Sequence, residues 1–225
     1  MALPTITPYP LPTTAELPSP RVTWTIEPAR AALLVHDMQR YFVAAFQADS
    51  EPMATATANI ARLRQACHAA GVPVFFTAQP VRQDPRERGL QADFWGPGMQ
   101  LDPEHRAIVD PLAPMSQDVV LTKWRYSAFQ RSDFAERLAA AGRDQLIVTG
   151  VFAHIGCLAT TYEAFVRDIR PFVVADALAD FSREKHDMAL AIAASCCARV
   201  TTTGAVLEAL AINRPMDTPD DTPRK

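Results

Sequence analysis

The chain has 225 residues, 48% hydrophobic and 21% charged, which supplies one buried core and argues against a disordered chain. A formal charge of -3 offers no broad basic field to a nucleic-acid backbone or an anionic membrane, so any anionic ligand must be held in a local pocket. No apolar run reaches the roughly 18 residues of a membrane span, the N-terminus lacks a secretory pattern, and Cys67, Cys157, Cys196 and Cys197 form neither a disulfide framework nor a metal-binding spacing. The expectation is a cytoplasmic protein with reduced thiols and neither a metal nor a cofactor.

In chain order, residues 1–28 are proline-rich and read as an extended arm whose Tyr9, Leu11 and Trp24 can pack on the domain or on a neighbouring subunit. Short β-branched runs then alternate with amphipathic stretches across a domain of residues 29–212. Strands are expected at 31–36, 73–78, 119–123, 145–150, 171–175 and 198–202, with helices at 53–70, 132–141, 156–168, 183–196 and 204–210. Gly71 and Gly142 stand where helices end, and Ile60, Leu63, Cys67 and Ala70 give the first helix its buried stripe. Residues 213–225 read as a flexible tail. Alternating strands and helices of this kind make an α/β domain with a mostly parallel sheet.

Ligands of open parallel sheets bind beyond the carboxyl ends of the strands, and that rule selects the residues to weigh. Here those ends carry His36-Asp37, Thr77-Ala78-Gln79, the run from Thr122 to Tyr126, and the run from Gly150 to Gly156. Asp37 follows an apolar strand, where partial burial can raise its pKa and make it an acid; a helix cap or an ion pair is the plainer role. Lys123 can orient that carboxylate or hold a substrate carboxylate. The run Lys123-Trp124-Arg125-Tyr126 mixes cations with rings, as an anion pocket does, and Phe94 to Gly98 reads as a rigid turn that presents Trp95. Cys157, near a helix start with His154 three positions earlier, is either a nucleophile or a small buried hydrophobe. His36 also lies near the rim, His68 and His186 fall on helices, and His105 falls in a loop. No H-E-x-x-H, G-x-G-x-x-G or P-loop pattern is present.

Several ordered motifs carry a family resemblance: Leu33-Leu34-Val35-His36-Asp37-Met38-Gln39, Thr77-Ala78-Gln79-Pro80, Asp93-Phe94-Trp95-Gly96-Pro97-Gly98, the run from Thr122 to Phe129, Ala153-His154-Ile155-Gly156-Cys157, and the block from Val174 to Ser182. From about Pro4 to Leu210 the chain resembles the isochorismatase family of the cysteine-hydrolase-like superfamily. The resemblance implies a single three-layer α/β/α domain with a six-stranded, mostly parallel sheet. It also implies hydrolysis of the enolpyruvyl ether of isochorismate, a small-molecule substrate, without metal or cofactor. The products are pyruvate and 2,3-dihydro-2,3-dihydroxybenzoate, a step toward siderophores. Amidase relatives use an Asp, a Lys and a Cys. Matching the pattern after their nucleophile to Thr160 and Glu163-Ala164 puts Gly156 at the nucleophile position and leaves Cys157 one residue off, hence structural.

On that basis Asp37, Lys123 and Gly156 are the expected catalytic positions. Gln79, Arg88, Trp95, Tyr126 and Phe152 are the expected substrate-binding ones, with Arg88 matched through Arg88-Gly89-Leu90. Relatives carry Tyr where this chain has Phe152, which removes a hydroxyl from the pocket. Three alternatives stand beside this reading. One is hydrolysis of the 2-amino-2-deoxy analogue in phenazine biosynthesis, another is a cysteine amidohydrolase working through Cys157, and the third is a silent scaffold that binds a carrier protein. A homo-oligomer that meets downstream biosynthetic enzymes transiently, without nucleic acid or membrane, completes the expectation.

Overall fold

Six strands, all parallel, form the centre of the computed structural model, which describes residues 3–100 and 103–212; the expected tail at 213–225 lies outside them. The strands are β1 (Ala31–His36), β2 (Val74–Ala78), β3 (Val119–Thr122), β4 (Gln145–Val151), β5 (Arg170–Ala179) and β6 (Arg199–Thr201), in the spatial order β3-β2-β1-β4-β5-β6. The helices are α1 (Arg40–Val43), α2 (Met53–Ala69), α3 (Pro85–Arg88), α4 (Gln91–Trp95), α5 (Pro103–Arg106), α6 (Phe134–Ala140), α7 (Leu158–Val166), α8 (Arg183–Cys196) and α9 (Thr203–Ile212).

Side chains alternate across a strand, so each strand feeds two cores. Leu33 and Val35 face Ile60, Leu63 and Cys67 of α2 and Val206 and Leu210 of α9. Ala32 and Leu34 face the opposite way, toward Phe134 and Leu138 of α6 and Leu190 and Ala193 of α8. Every residue of β1 is buried, because a parallel sheet carries helices on both faces. The expected α/β architecture holds, with one register shift, between β4 and β5 at Val148/Gly150.

The differences from the sequence reading are local. Strand β5 runs on to Ala179, past the point where Asp176 interrupts the apolar run. That carboxylate is satisfied by capping α9, accepting from Thr203 N at 2.7 Å and from Thr203 Oγ1 at 2.9 Å. Helices α1, α3, α4 and α5 are four or five residues long, too short to show a period, and each is absent from the sequence reading. Phe94 and Trp95 therefore belong to a helix that ends at Gly96 (φ 63°) instead of a turn, and His105 to α5 instead of a loop. The expected helix at 156–168 is α7 preceded by a wider π-helical turn, Ala153–Cys157.

The proline-rich segment lies along the domain. Ile6 N donates to the Ala45 carbonyl at 2.7 Å, the Tyr9 hydroxyl accepts from Asp180 N at 2.7 Å, and Trp24 packs edge-on to Phe172.

Candidate active site

Strand order reverses between β1 and β4, and a crevice opens where their carboxyl ends diverge. A cavity occupies that crevice. Asp37, Gln79, Arg88, Trp95, Lys123, Tyr126, Phe152 and Gly156 all line it, so every position singled out in the sequence as catalytic or substrate-binding converges here.

Asp37 leaves β1 with a φ of 49°, in the left-handed region that Asp tolerates better than most residues. The turn points its carboxylate at the ends of β2 and β3. Thr77 Oγ1 accepts from Asp37 N at 2.9 Å and donates to Oδ1 at 2.5 Å. Lys123 Nζ donates to Oδ2 at 2.8 Å, and Gln79 Nε2 donates to the same oxygen at 3.4 Å. Gln79 is itself fixed by the buried Gln39, whose Oε1 accepts from Gln79 N and whose Nε2 donates to the Gln79 carbonyl. Asp37 and Lys123 are only 4% and 3% exposed, so this ion pair is almost dry although it faces the cavity.

Burial alone would raise the pKa of Asp37. The Lys123 ammonium, His36 and the hydrogen bonds from Lys123 and Thr77 outweigh it, and the carboxyl lies below its ordinary value. This corrects the expectation of a raised pKa: in the free site Asp37 is a carboxylate. His36 Nδ1 lies 3.7 Å from Asp37 Oδ2 and donates to the Val151 carbonyl at 2.7 Å. Burial pushes this imidazole down to about 4, so at neutral pH it is uncharged.

Aromatic rings wall the cavity. Phe152 stacks on Phe181 with centroids 4.2 Å apart, Phe46 lies behind it at 6.0 Å, and Trp95 lies parallel to Phe181 at 6.1 Å. Trp95 Nε1 donates to the Tyr126 hydroxyl at 2.8 Å, which ties α4 to the segment after β3. Arg88 is buried, donates through Nε to the Gly96 carbonyl at 2.5 Å and through Nη1 to Gln83 Oε1 at 3.2 Å, and faces the cavity of its own chain. Its guanidinium lies where a β-carbon on Gly98 would stand.

Two residues near the rim point elsewhere. Cys157 is buried in the core on the α8 side, its Sγ 3.9 Å from the Thr149 carbonyl and outside the cavity lining, and burial pushes the thiol well above its ordinary pKa. His154 turns to Asp180, which accepts from the His154 backbone N–H and lies 2.6 Å from its Nδ1. Asp180 thereby anchors the turn that holds Gly156. Arg125 donates to the Glu87 and Trp124 carbonyls.

Sequence reasoning gave no role to Thr77, Gln39, Phe181 or His36. For Thr77 a signal existed, a hydroxyl at the end of the strand next to β1. For Phe181 the only signal was the motif block that contains it. Among the described residues no group of three or more His, Cys, Asp or Glu side chains is placed to hold a metal ion. An anion, by contrast, would meet Lys123 and Arg88 among aromatic faces.

A family model described as the isochorismatase domain matches residues 31–205. The chain is 51% identical over 217 residues to the isochorismatase of Bacillus subtilis, covering 96% of this chain and 69% of that one. It is 53% identical over 206 residues to the phenazine biosynthesis protein PhzD1 of Pseudomonas aeruginosa, covering 92% and 99%. Among solved structures, a cysteine hydrolase from Pseudomonas syringae superposes with a TM-score of 0.78 at 27% identity, covering 86% of this chain and 98% of that one.

Proposed function

The chain belongs to the isochorismatase family, and from that premise we propose that it hydrolyses the vinyl ether of isochorismate to pyruvate and 2,3-dihydro-2,3-dihydroxybenzoate. The observation that carries the reading is the dry Asp37–Lys123 pair facing a cavity whose neighbouring wall, at Gly156, offers no nucleophile. A vinyl ether needs a proton and a water, and such a wall withholds nothing that this chemistry requires.

The free site holds Asp37 ionised, so the acid must be made on binding. Isochorismate is a dianion, and a substrate carboxylate drawn to Lys123 and Arg88 adds negative charge beside Asp37 and competes for its ammonium partner. Both effects raise the proton affinity of Asp37. Protonated Asp37 then delivers its proton to the methylene carbon of the enolpyruvyl group, leaving an oxocarbenium ion at the adjacent carbon. Water adds there, and the hemiketal collapses to pyruvate and the ring alcohol. Lys123 orients Asp37, Gln79 holds the second lone pair of Oδ2, and Trp95, Tyr126 and Phe152 screen the ring from solvent. Cys157 has no part in this chemistry.

The test is pyruvate release coupled to lactate dehydrogenase, with isochorismate and its 2-amino-2-deoxy analogue assayed side by side. Faster release from isochorismate is the expected result. Preference for the analogue would move the chain to the second reading, which its 53% identity to PhzD1 favours. No pyruvate from either would return the question to an amidohydrolase or a binding scaffold. Among the described residues no helix is long and apolar enough to cross a membrane. The proposed working form is a cytoplasmic homo-oligomer in transient contact with the enzyme that consumes the dihydrodiol. The exposed Phe165, Val166 and Met188 of α7 and α8 support self-association, and light scattering of the purified chain tests it.

A further inference from the structure

His36, the last residue of β1, has no part in the chemistry just described, yet the crevice is built around it. Its backbone pairs with Gly150 across the β1/β4 divide. At Gly150 φ is +102°, and a β-carbon there would lie 2.1 Å from the His36 carbonyl oxygen, so only glycine lets the two strand ends approach so closely. That approach carries the imidazole beneath the turn Ala153–Cys157.

Gly156, in the same turn, has no positive φ, so its backbone would accept any L-residue. What requires glycine at 156 is His36. A β-carbon at 156 would stand 2.2 Å from Cε1, 2.9 Å from Nε2 and 3.2 Å from Nδ1 of the ring. The ring is held in that place, fully buried and with its Nδ1 tied to the Val151 carbonyl at 2.7 Å. The same Nδ1 lies 3.7 Å from Asp37 Oδ2, so the imidazole stands between the carboxylate and the place where a side chain at 156 would begin.

We propose that His36 is a specificity-determining residue, which fills the side-chain volume of position 156 and so keeps any thiol or hydroxyl there from reaching the Asp37–Lys123 pair. This deepens the vinyl-ether reading and rests on it. A thiol at that position, beside a carboxylate and an ammonium at a helix start, would have the surroundings that activate a cysteine nucleophile. His36 reserves the cavity for hydrolysis by proton transfer and water.

A double-substitution cycle on the full chain tests this. His36→Asn keeps a donor for the Val151 carbonyl and vacates the Cε1 and Nε2 volume, and Gly156→Ala adds only the clashing β-carbon. Gly156→Ala alone is expected to lower kcat for pyruvate release by about 100-fold and to lower the urea midpoint of unfolding. In the His36→Asn background the same substitution is expected to cost at least about tenfold less in kcat, with the midpoint penalty largely removed. As a readout that a purely structural role would leave unchanged, the thiol introduced by Gly156→Cys is expected to react with iodoacetamide at least about tenfold faster when His36→Asn is also present. A midpoint penalty from Gly156→Ala that is as large in the His36→Asn background as in the unsubstituted chain, or thiol reactivity indifferent to residue 36, overturns the proposal. Failure of the vinyl-ether reading is distinguishable: the unsubstituted chain would then release no pyruvate, while the stability cycle and the alkylation rates would still decide the role of His36.

Discussion

Asp37→Asn separates catalysis from folding at the centre of the site. The amide is nearly isosteric and its oxygen can still accept from Thr77, but it removes the transferable proton, the acceptor for Gln79 and the negative charge opposite Lys123. Loss of a positioned general acid costs about 10²- to 10⁴-fold. At 1.36 kcal/mol per decade that is about 3–5 kcal/mol of barrier. The fold also suffers, since breaking a buried ion pair by removing one partner costs about 3–5 kcal/mol. At roughly 2–4 °C per kcal/mol for a chain of this size, unfolding should move down by about 10 °C. Adding Lys123→Met removes the stranded ammonium and should return most of the thermal stability. Turnover should stay lost. The assay is pyruvate release coupled to lactate dehydrogenase, with thermal unfolding followed on the same samples. Turnover within about threefold of the unsubstituted chain in Asp37→Asn, or recovered turnover in the double variant, would refute the assignment of the acid.

Three further outcomes follow from the same geometry. Because Asp37 is held ionised in the free site, its protonated fraction falls about tenfold per pH unit above its pKa, so log kcat/KM is expected to decline with a slope near -1 between about pH 6 and 8; a flat profile there would contradict a carboxylate that must gain its proton. His36 titrates near 4 in the folded chain against about 6.5 unfolded, so its contribution to stability is complete above about 6.5 and is lost as pH falls toward 4. The loss is about 3 kcal/mol, seen as the difference in urea unfolding between the unsubstituted chain and His36→Asn over that window; equal pH dependence in the two would count against a buried neutral ring. Iodoacetamide should modify the exposed Cys196 and spare Cys67 and Cys157 in the folded protein, and Cys157→Ala should keep kcat within about threefold; peptide mass mapping and the coupled assay read the two halves.

The strands and long helices were legible because their signals are local. Both ends of β1 and of α8 coincide with the sequence reading, and α2 differs by one residue. The one-turn helices α3 and α4, which carry Arg88 and Trp95 to the cavity, were not, since four or five residues hold no period. The strand-end rule gathered Asp37, Gln79, Lys123 and Gly156 without knowledge of strand order, because all parallel strands deliver their carboxyl ends to one rim. The ionisation of Asp37 was misjudged for a different reason: burial can be guessed from an apolar run, whereas a 2.8 Å approach by an ammonium from two strands away cannot. The contact of His36 with Gly156 was equally hidden. It depends on how closely β1 and β4 pass at Gly150, a distance that no pattern along the chain encodes.

The arm that precedes β1 has a practical bearing. Leu3 lines the cavity, and Ile6 and Tyr9 stitch the next residues to Ala45 and Asp180, so the arm supplies part of the wall of the reaction chamber. A substitution in the arm would reshape that wall from outside the sheet, and rates measured on such a variant would report on the arm as well as on the strand-end residues.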